Sequence, residues 1–398
     1  DQEGTVETWQ VVHPPKQGGC LFDVVPLTAA QQERLAQVSS TADALVTNAV
    51  ELHDIVTEWN IRQTGSARDQ LKNQSTLACM TVLQGQTLSL ISFSVSHALA
   101  DGFAYYQLLK SIDEEVTKPG SSTPMGPRRG VDEGIAKTMS TYGEEERRAV
   151  AAYYPGLFFE AMMQRNVENY YELHSLITDE VLLKMKSEVT RTLPEGKFVS
   201  RQDVLAARAA QLMGAVNLAY VVNIRGRVQE VDDNALANGE MIWYCSSHNK
   251  SATTAPKSAA SSSQTVTPLD VRESIQRLGA KSGFTMADAT ATAPNHTVTT
   301  NSWLKVQHLP TFGGSAGLHI PVYEWSALEF VLRLPAVLMY AVGKGQYVLR
   351  QWGLDPETIE KAQKHWRQFG VKTMVVISGT TVRERKAFWN QRQRPSKQ

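Results

Sequence analysis

Along most of the chain, hydrophobic and polar positions recur at periods that predict regular elements. Residues 28–60 set Leu35, Val38, Leu45, Val50 and Ile55 at loose helical spacing, which predicts helix. Leu77–Leu83 reads as strand, Gln84-Gly85 as a turn, and Thr87–Ser96 as the second strand of a hairpin. In that second strand Ile91, Phe93 and Val95 point one way and Ser92, Ser94 and Ser96 the other, because side chains alternate across a strand. His97 shares the apolar parity. A helix then runs from Asp101 to about Val116, burying Phe103, Tyr106 and Leu109.

Gly120–Gly130, rich in Pro, Gly and Ser, reads as loop. Helices follow near 143–164 and 178–190, and Ser200 is a fitting N-cap for another that runs to Met213. Asn217–Ile224 is strand-like, and residues 250–266 form a Ser/Ala/Thr-rich stretch without apolar period, read as a surface loop. Pro268–Leu278 is helical, and the final third mixes strands with a helix over Pro356–Phe369. No internal repeat is visible. Helices and strands alternate over 398 residues, which predicts an α/β chain of about two domains.

Charge narrows the function classes. Forty basic side chains balance forty acidic ones, whereas a protein that neutralises phosphates shows a basic excess, so nucleic acid is not the expected partner. The balance is uneven along the chain: residues 1–60 carry net −7 and residues 381–398 net +5. The basic end, Arg383 to Lys397, reads as a solvated terminal helix, with an acidic partner or anionic surface as the alternative. Cys20, Cys79 and Cys245 lie far apart and lack the spacing of a zinc site or a disulfide scaffold. A reducing compartment fits, with one bridge plus a free thiol left open. The longest apolar stretch, near Phe330–Val342, holds Arg333 and Pro335 and is too short to span a bilayer. The expectation is a cytoplasmic, monomeric protein, a removed organellar or secretory leader being left open. The sequons at Asn73, Asn249 and Asn295 are short enough to arise by chance, and Gly343-Lys344-Gly345 lacks the spacing of a phosphate loop.

Chemistry concentrates in Ser96-His97-Ala98-Leu99-Ala100-Asp101-Gly102, a His-x-x-x-Asp-Gly at a strand-to-helix junction. An imidazole on a tight turn can project into a cleft, and histidine as a residue type titrates near ~6.5, so its neutral form accepts protons near neutrality. Gly102 allows close backbone approach. Asp101 equally suits a plain helix N-cap. Trp303 reads either as a site residue or as a core aromatic, and Tyr105 and Tyr106 lie beside the motif. The other eight histidines have no metal-ligand partners at helical or strand spacing, so no metal is expected.

The stretch Thr81–Gly102 resembles the approach to the active site in the BAHD acyltransferases, part of the superfamily of chloramphenicol acetyltransferase and peptide-synthetase condensation domains. Further patches follow in the family's order over residues 76–315: Ser200–Ala210, Val222-Asn223-Ile224-Arg225-Gly226-Arg227, Ala237-Asn238-Gly239 and Asn301-Ser302-Trp303. The resemblance implies an α/β fold of two chloramphenicol-acetyltransferase-like domains, each a mixed sheet with flanking helices, meeting at a central channel. The halves would be residues 1–195, with the His motif, and 196–398, with a flexible insertion at about 246–267. It implies acyl transfer from acyl-CoA, as co-substrate, to a hydroxyl or amine of a small molecule in secondary metabolism. His97 would be the general base. Asp101 would be structural, paired with Arg225 or, failing that, Arg227. Asn301, Ser302 and Trp303 would supply oxyanion or substrate contacts, alongside backbone N–H groups.

Three features depart from the family pattern. Its late Asp-Phe-Gly-Trp-Gly element is matched only by Thr311-Phe312-Gly313-Gly314-Ser315. Residues before 76 and after 320 show little likeness. Ser96 stands where condensation domains carry a second histidine, which favours a free acyl-CoA over a carrier-bound donor. The alternatives are a condensation-type enzyme and a catalytically silent relative that binds a ligand or joins an assembly.

Overall fold

The computed structural model describes residues 21–59, 61, 64, 77–97, 99–122, 171–215, 217–223, 225, 233–235, 240–246, 265–279, 297–314, 317–321 and 335–378. The expected helix at 143–164, most of the 246–267 insertion, the three sequons, Ala237-Asn238-Gly239, Arg227 and the basic end lie outside these residues.

The chain is α/β, with two mixed sheets and flanking helices. The smaller sheet has the order β1-β2-β3, from Leu21–Pro26, Ala78–Gln84 and Leu90–Val95. β1 runs parallel to β2, and β3 antiparallel to it. The residues from 28 to 60, expected as helix, form three: α1 (Ala29–Ser39), α2 (Ala42–Thr47) and α3 (Ala49–Glu58). Local hydrogen bonds make the breaks. Thr28 closes a capping box on α1, and the Thr41 hydroxyl accepts the Ala44 N–H at 3.0 Å to start α2. The hairpin turn is longer than expected, since β3 begins at Leu90. A Cβ on Gly85 would lie 2.2 Å from the Leu88 carbonyl oxygen, so only glycine fits that loop. The alternation in β3 does not mark a core face either: Ile91 is exposed, while the Ser94 hydroxyl meets Thr64 at 3.1 Å.

After α4 (Gly102–Thr117) comes β4 (Tyr171–Thr178). It leads into α5 (Asp179–Thr190), α6 (Arg201–Leu212), β5 (Asn217–Asn223), β6 (Glu240–Ser246), α7 (Pro268–Gly279) and β7 (Thr297–Ser302). The last elements are β8 (Ala336–Gly343), β9 (Gln346–Leu354), α8 (Pro356–Gln368) and β10 (Lys372–Ser378). Seven strands form the larger sheet in the order β10-β4-β9-β8-β7-β5-β6. β4 and α5 precede residue 195, yet β4 pairs with β9 and β10 inside this sheet.

Alternation along the central strands gives the larger sheet two faces. Val337, Met339 and Leu349 meet α5–α8, where Trp366 is fully buried. Leu338, Tyr340, Val348 and Trp352 meet α1–α3. Each such apolar side chain contributes about 1.5–3 kcal/mol on burial, so both faces anchor the fold. Gly353, at φ +72°, marks the irregularity where β9 adds a residue against β4, and Leu354 thereby turns to the α5–α8 face.

Charge is also buried here. Glu172 on β4 accepts hydrogen bonds from the Arg350 Nε, from the Arg350 Nη2 at 3.2 Å and from the His174 Nε2. Burial alone would raise the Glu172 carboxyl, but Arg350 and His174 hold it down at about 2. Burial pushes His174 below its ordinary value against the pull of Glu172, and its buried Nδ1 has no hydrogen-bond partner among the described residues.

Candidate active site

β3 ends at Val95, and the chain turns at once. The Ser96 N–H bonds the Leu77 carbonyl at 2.8 Å, and the Ser96 carbonyl accepts from Leu99 at 2.9 Å and Ala100 at 3.2 Å. His97 stands on this turn with its side chain 73% exposed. Four residues on, Asp101 is buried at the N-terminus of α4, where its Oδ1 accepts the Ala104 N–H at 2.9 Å.

Asp101 and Arg225 meet as a fork. Arg225 Nη1 donates to Asp101 Oδ2 at 2.8 Å and Nη2 to Oδ1 at 3.3 Å, with the side chains only 2% and 1% exposed. The rest of the guanidinium is held as well: Nε reaches the Ala235 carbonyl at 2.9 Å, Nη1 the Asn223 Oδ1 at 3.0 Å, and its carbon lies 4.7 Å from the Phe103 ring centre. Phe103, expected in the core beside Tyr106 and Leu109, is half-buried under this cation.

The sheet register brings Trp303 to the same place. β5 and β7 are parallel neighbours, with Tyr220 opposite Thr300, so Arg225 and Trp303 both lie just beyond the strands' C-terminal ends. Crevices outside such ends commonly take ligands. The Trp303 N–H bonds the Met339 carbonyl at 2.8 Å, and the indole packs edge-on to Tyr106 at 5.7 Å. A Cβ on Gly102 would lie 2.7 Å from the indole Nε1, so the glycine admits the ring. Asp101, Gly102, Arg225 and Trp303 thus form one cluster behind the His97 turn.

The expected trio Asn301, Ser302 and Trp303 is divided. Asn301 pairs with Leu338 and faces α1–α3, on the side where Trp303 packs. Ser302 pairs with Met339 and faces α5–α8, its hydroxyl buried and, among the described residues, without a hydrogen-bond partner. Strand alternation turns the Ser302 side chain to the opposite face from Asn301 and Trp303.

Sequence reasoning passed over Glu240 and His319. Glu240 opens β6 opposite Asn223, and its Oε1 lies 3.7 Å from the His97 Nε2. Burial pushes this carboxyl above the ordinary range; His97 opposes the rise, Asp101 adds to it and Arg225 opposes it. The only sequence signal was the adjacent Ala237-Asn238-Gly239 patch. Behind Trp303, the Tyr106 hydroxyl meets the His319 Nε2 at 2.8 Å, and burial lowers His319 to about 4. Tyr105, whose hydroxyl donates to the Phe93 carbonyl at 3.1 Å, is raised above the usual phenol range by burial.

Asp113, on α4, organises the loop around Thr311 and Phe312. It takes the His308 Nε2 at 2.7 Å, the Thr311 N–H at 3.0 Å and the Phe312 N–H, where the backbone stands at φ +45°. Burial alone would raise this carboxyl; the bonds from His308, Phe312 and Thr311 bring it below its ordinary value. Among the described residues no three His, Cys, Asp or Glu side chains are grouped to hold a metal ion, and no helix is long and apolar enough to cross a membrane.

No family model matches the chain, and no curated protein does. Solved structures do resemble it. TRI101 of F. graminearum, complexed with coenzyme A and deoxynivalenol, aligns over 89% of this chain and 82% of its own, at 12% identity and TM-score 0.49. The first condensation domain of the CDA synthetase aligns over 96% and 81%, at 15% identity and TM-score 0.48. Vinorine synthase aligns over 73% of this chain at 11% identity and TM-score 0.45, and the match spans 65% of its length, just under two thirds.

Proposed function

We propose that the protein transfers an acyl group from acyl-CoA to a hydroxyl or amine of a small molecule, with His97 as general base. One observation carries this reading: two polar residues of a single turn have opposite environments. Asp101 is locked behind the turn by Arg225 and the α4 N-terminus, while the imidazole four residues earlier is open to solvent. A base must reach its substrate, and the residue that shapes its turn need not.

In the proposed reaction the acceptor's O–H or N–H proton passes to neutral His97 as the heteroatom bonds to the thioester carbonyl carbon. The tetrahedral oxyanion takes hydrogen bonds from turn N–H groups or from the Trp303 indole N–H beside Gly102. Collapse breaks the C–S bond, and the imidazolium proton passes to the departing CoA thiolate. Acceptor and CoA would approach from opposite sides of a channel between the halves 1–195 and 196–398. Ser96 in place of a second histidine supports a free acyl-CoA donor.

The test is incubation with a panel of acyl-CoAs and candidate alcohols and amines, read as free thiol. Turnover should appear, and His97→Ala should lower it by roughly 10²–10⁴-fold. Absence of turnover with an intact fold would instead favour a ligand-binding relative, and turnover only with acyl-carrier protein a condensation-type enzyme.

A further inference from the structure

We infer that Glu240 is a positioning residue for this reaction, supplying the countercharge to the His97 imidazolium that forms as the base takes its proton. The inference rests on His97 acting as the base. Its ground is geometric. Glu240 comes from the larger sheet and His97 from the turn that leaves the smaller one, and the carboxylate Oε1 lies 3.7 Å from the imidazole Nε2. That distance is too long for a hydrogen bond, so the carboxylate acts on the ring by charge and does not itself take the acceptor's proton.

No structural duty accounts for the carboxylate. Its side chain is only 31% exposed, and among the described residues it takes no hydrogen bond. A carboxylate drawn out of water without one lowers stability unless a positive charge stands near. The other charges that face it are Asp101, from the turn before α4, and Arg225, beyond β5. These two are paired with each other and largely cancel. His97 is left as the group whose change of charge Glu240 feels most, and the coupling is mutual. A negative charge within ~4–6 Å favours a protonated imidazole, more weakly for an exposed ring than for a buried one.

Glu240→Gln keeps the shape and removes the charge. With acyl-CoA and an accepted substrate, kcat should fall roughly three- to tenfold with KM little changed, and the acid limb of kcat/KM should move about half a unit to lower pH. A second readout needs no turnover. Diethyl pyrocarbonate reacts only with neutral imidazole, and its attack on His97 at pH 6, followed by mass spectrometry of the full chain, should run about twofold faster in the variant. Glu240→Asp should restore most of the wild-type behaviour in both assays. An unmoved acid limb together with an unchanged carbethoxylation rate overturns the inference, whatever happens to kcat. Retention of turnover by His97→Ala would instead sink the general-base reading, while the carbethoxylation rate still reports whether Glu240 and His97 are coupled.

Discussion

Two buried carboxylate–guanidinium clusters lie in different parts of the molecule and do different things. Glu172 and Arg350 belong to paired strands β4 and β9, where Arg350 stands opposite His174. The cluster locks two strands of one sheet, deep against the helical layer. Asp101 and Arg225 are 124 residues apart in sequence and join a turn leaving the smaller sheet to the end of β5 in the larger one. One pair sets strand register, and the other holds the ground beneath an exposed imidazole. The chemistry of the pair is the same in both, so position decides whether a buried charge serves the fold or the site.

The largest expected effect comes from breaking the strand cluster. Glu172→Gln leaves Arg350 buried without its countercharge and should cost about 3–5 kcal/mol, read from denaturant unfolding. The activity of the molecules that remain folded should change little. Asp101→Asn should cost somewhat less, about 2–3 kcal/mol, because asparagine still caps α4 and accepts one guanidinium bond. Here, however, activity should fall along with stability. Full loss of activity with unchanged melting would count against a structural role for Asp101.

Acid should separate the regions by another route. Burial holds His174 and His319 below the ordinary histidine value, with His319 at about 4. The unfolded chain therefore binds protons before the folded one does. Stability is complete above the unfolded value of ~6.5 and drains away as pH falls toward 4. Glu172, at about 2 against an ordinary 4.5, adds a further loss between those values on the same acid side. Thermal unfolding followed from pH 7.5 to 4 should show Tm falling throughout, and a flat profile would show that neither histidine is buried in neutral form. The smallest effect is reserved for Ser302→Ala. Its hydroxyl is buried, has no hydrogen-bond partner among the described residues and faces α5–α8, so stability and turnover should both stay within about 0.5 kcal/mol of wild type. A large loss of turnover would place Ser302 in the site.

Elements whose signals lie within a few residues were legible beforehand. Asp101, Thr178, Ser200 and Asp355 all cap helices whose starts could be read from the chain. β1 and β4 were not read. Tyr171–Thr178 places Glu172 and His174 at buried positions, which defeats a hydrophobic alternation; the partner that makes them tolerable, Arg350, is 178 residues from Glu172. Of the residues that the structure brings together at the candidate site, His97, Asp101, Gly102, Arg225 and Trp303 were named beforehand from the residues and the resemblance. Glu240 was not, because its proximity to His97 comes from the pairing of β6 with β5.

Helix starts and the tight turn at His97 were determined by the sequence itself, since the hydrogen bonds involved act over two to four residues, whereas the need for glycine at 102 comes from the distant Trp303 ring. Which strands became neighbours, which face Ser302 took, and which of His97 and Asp101 met water were decided only by the tertiary structure. Those outcomes depend on register and burial, and both are settled by partners on other strands, beyond the reach of the local signals.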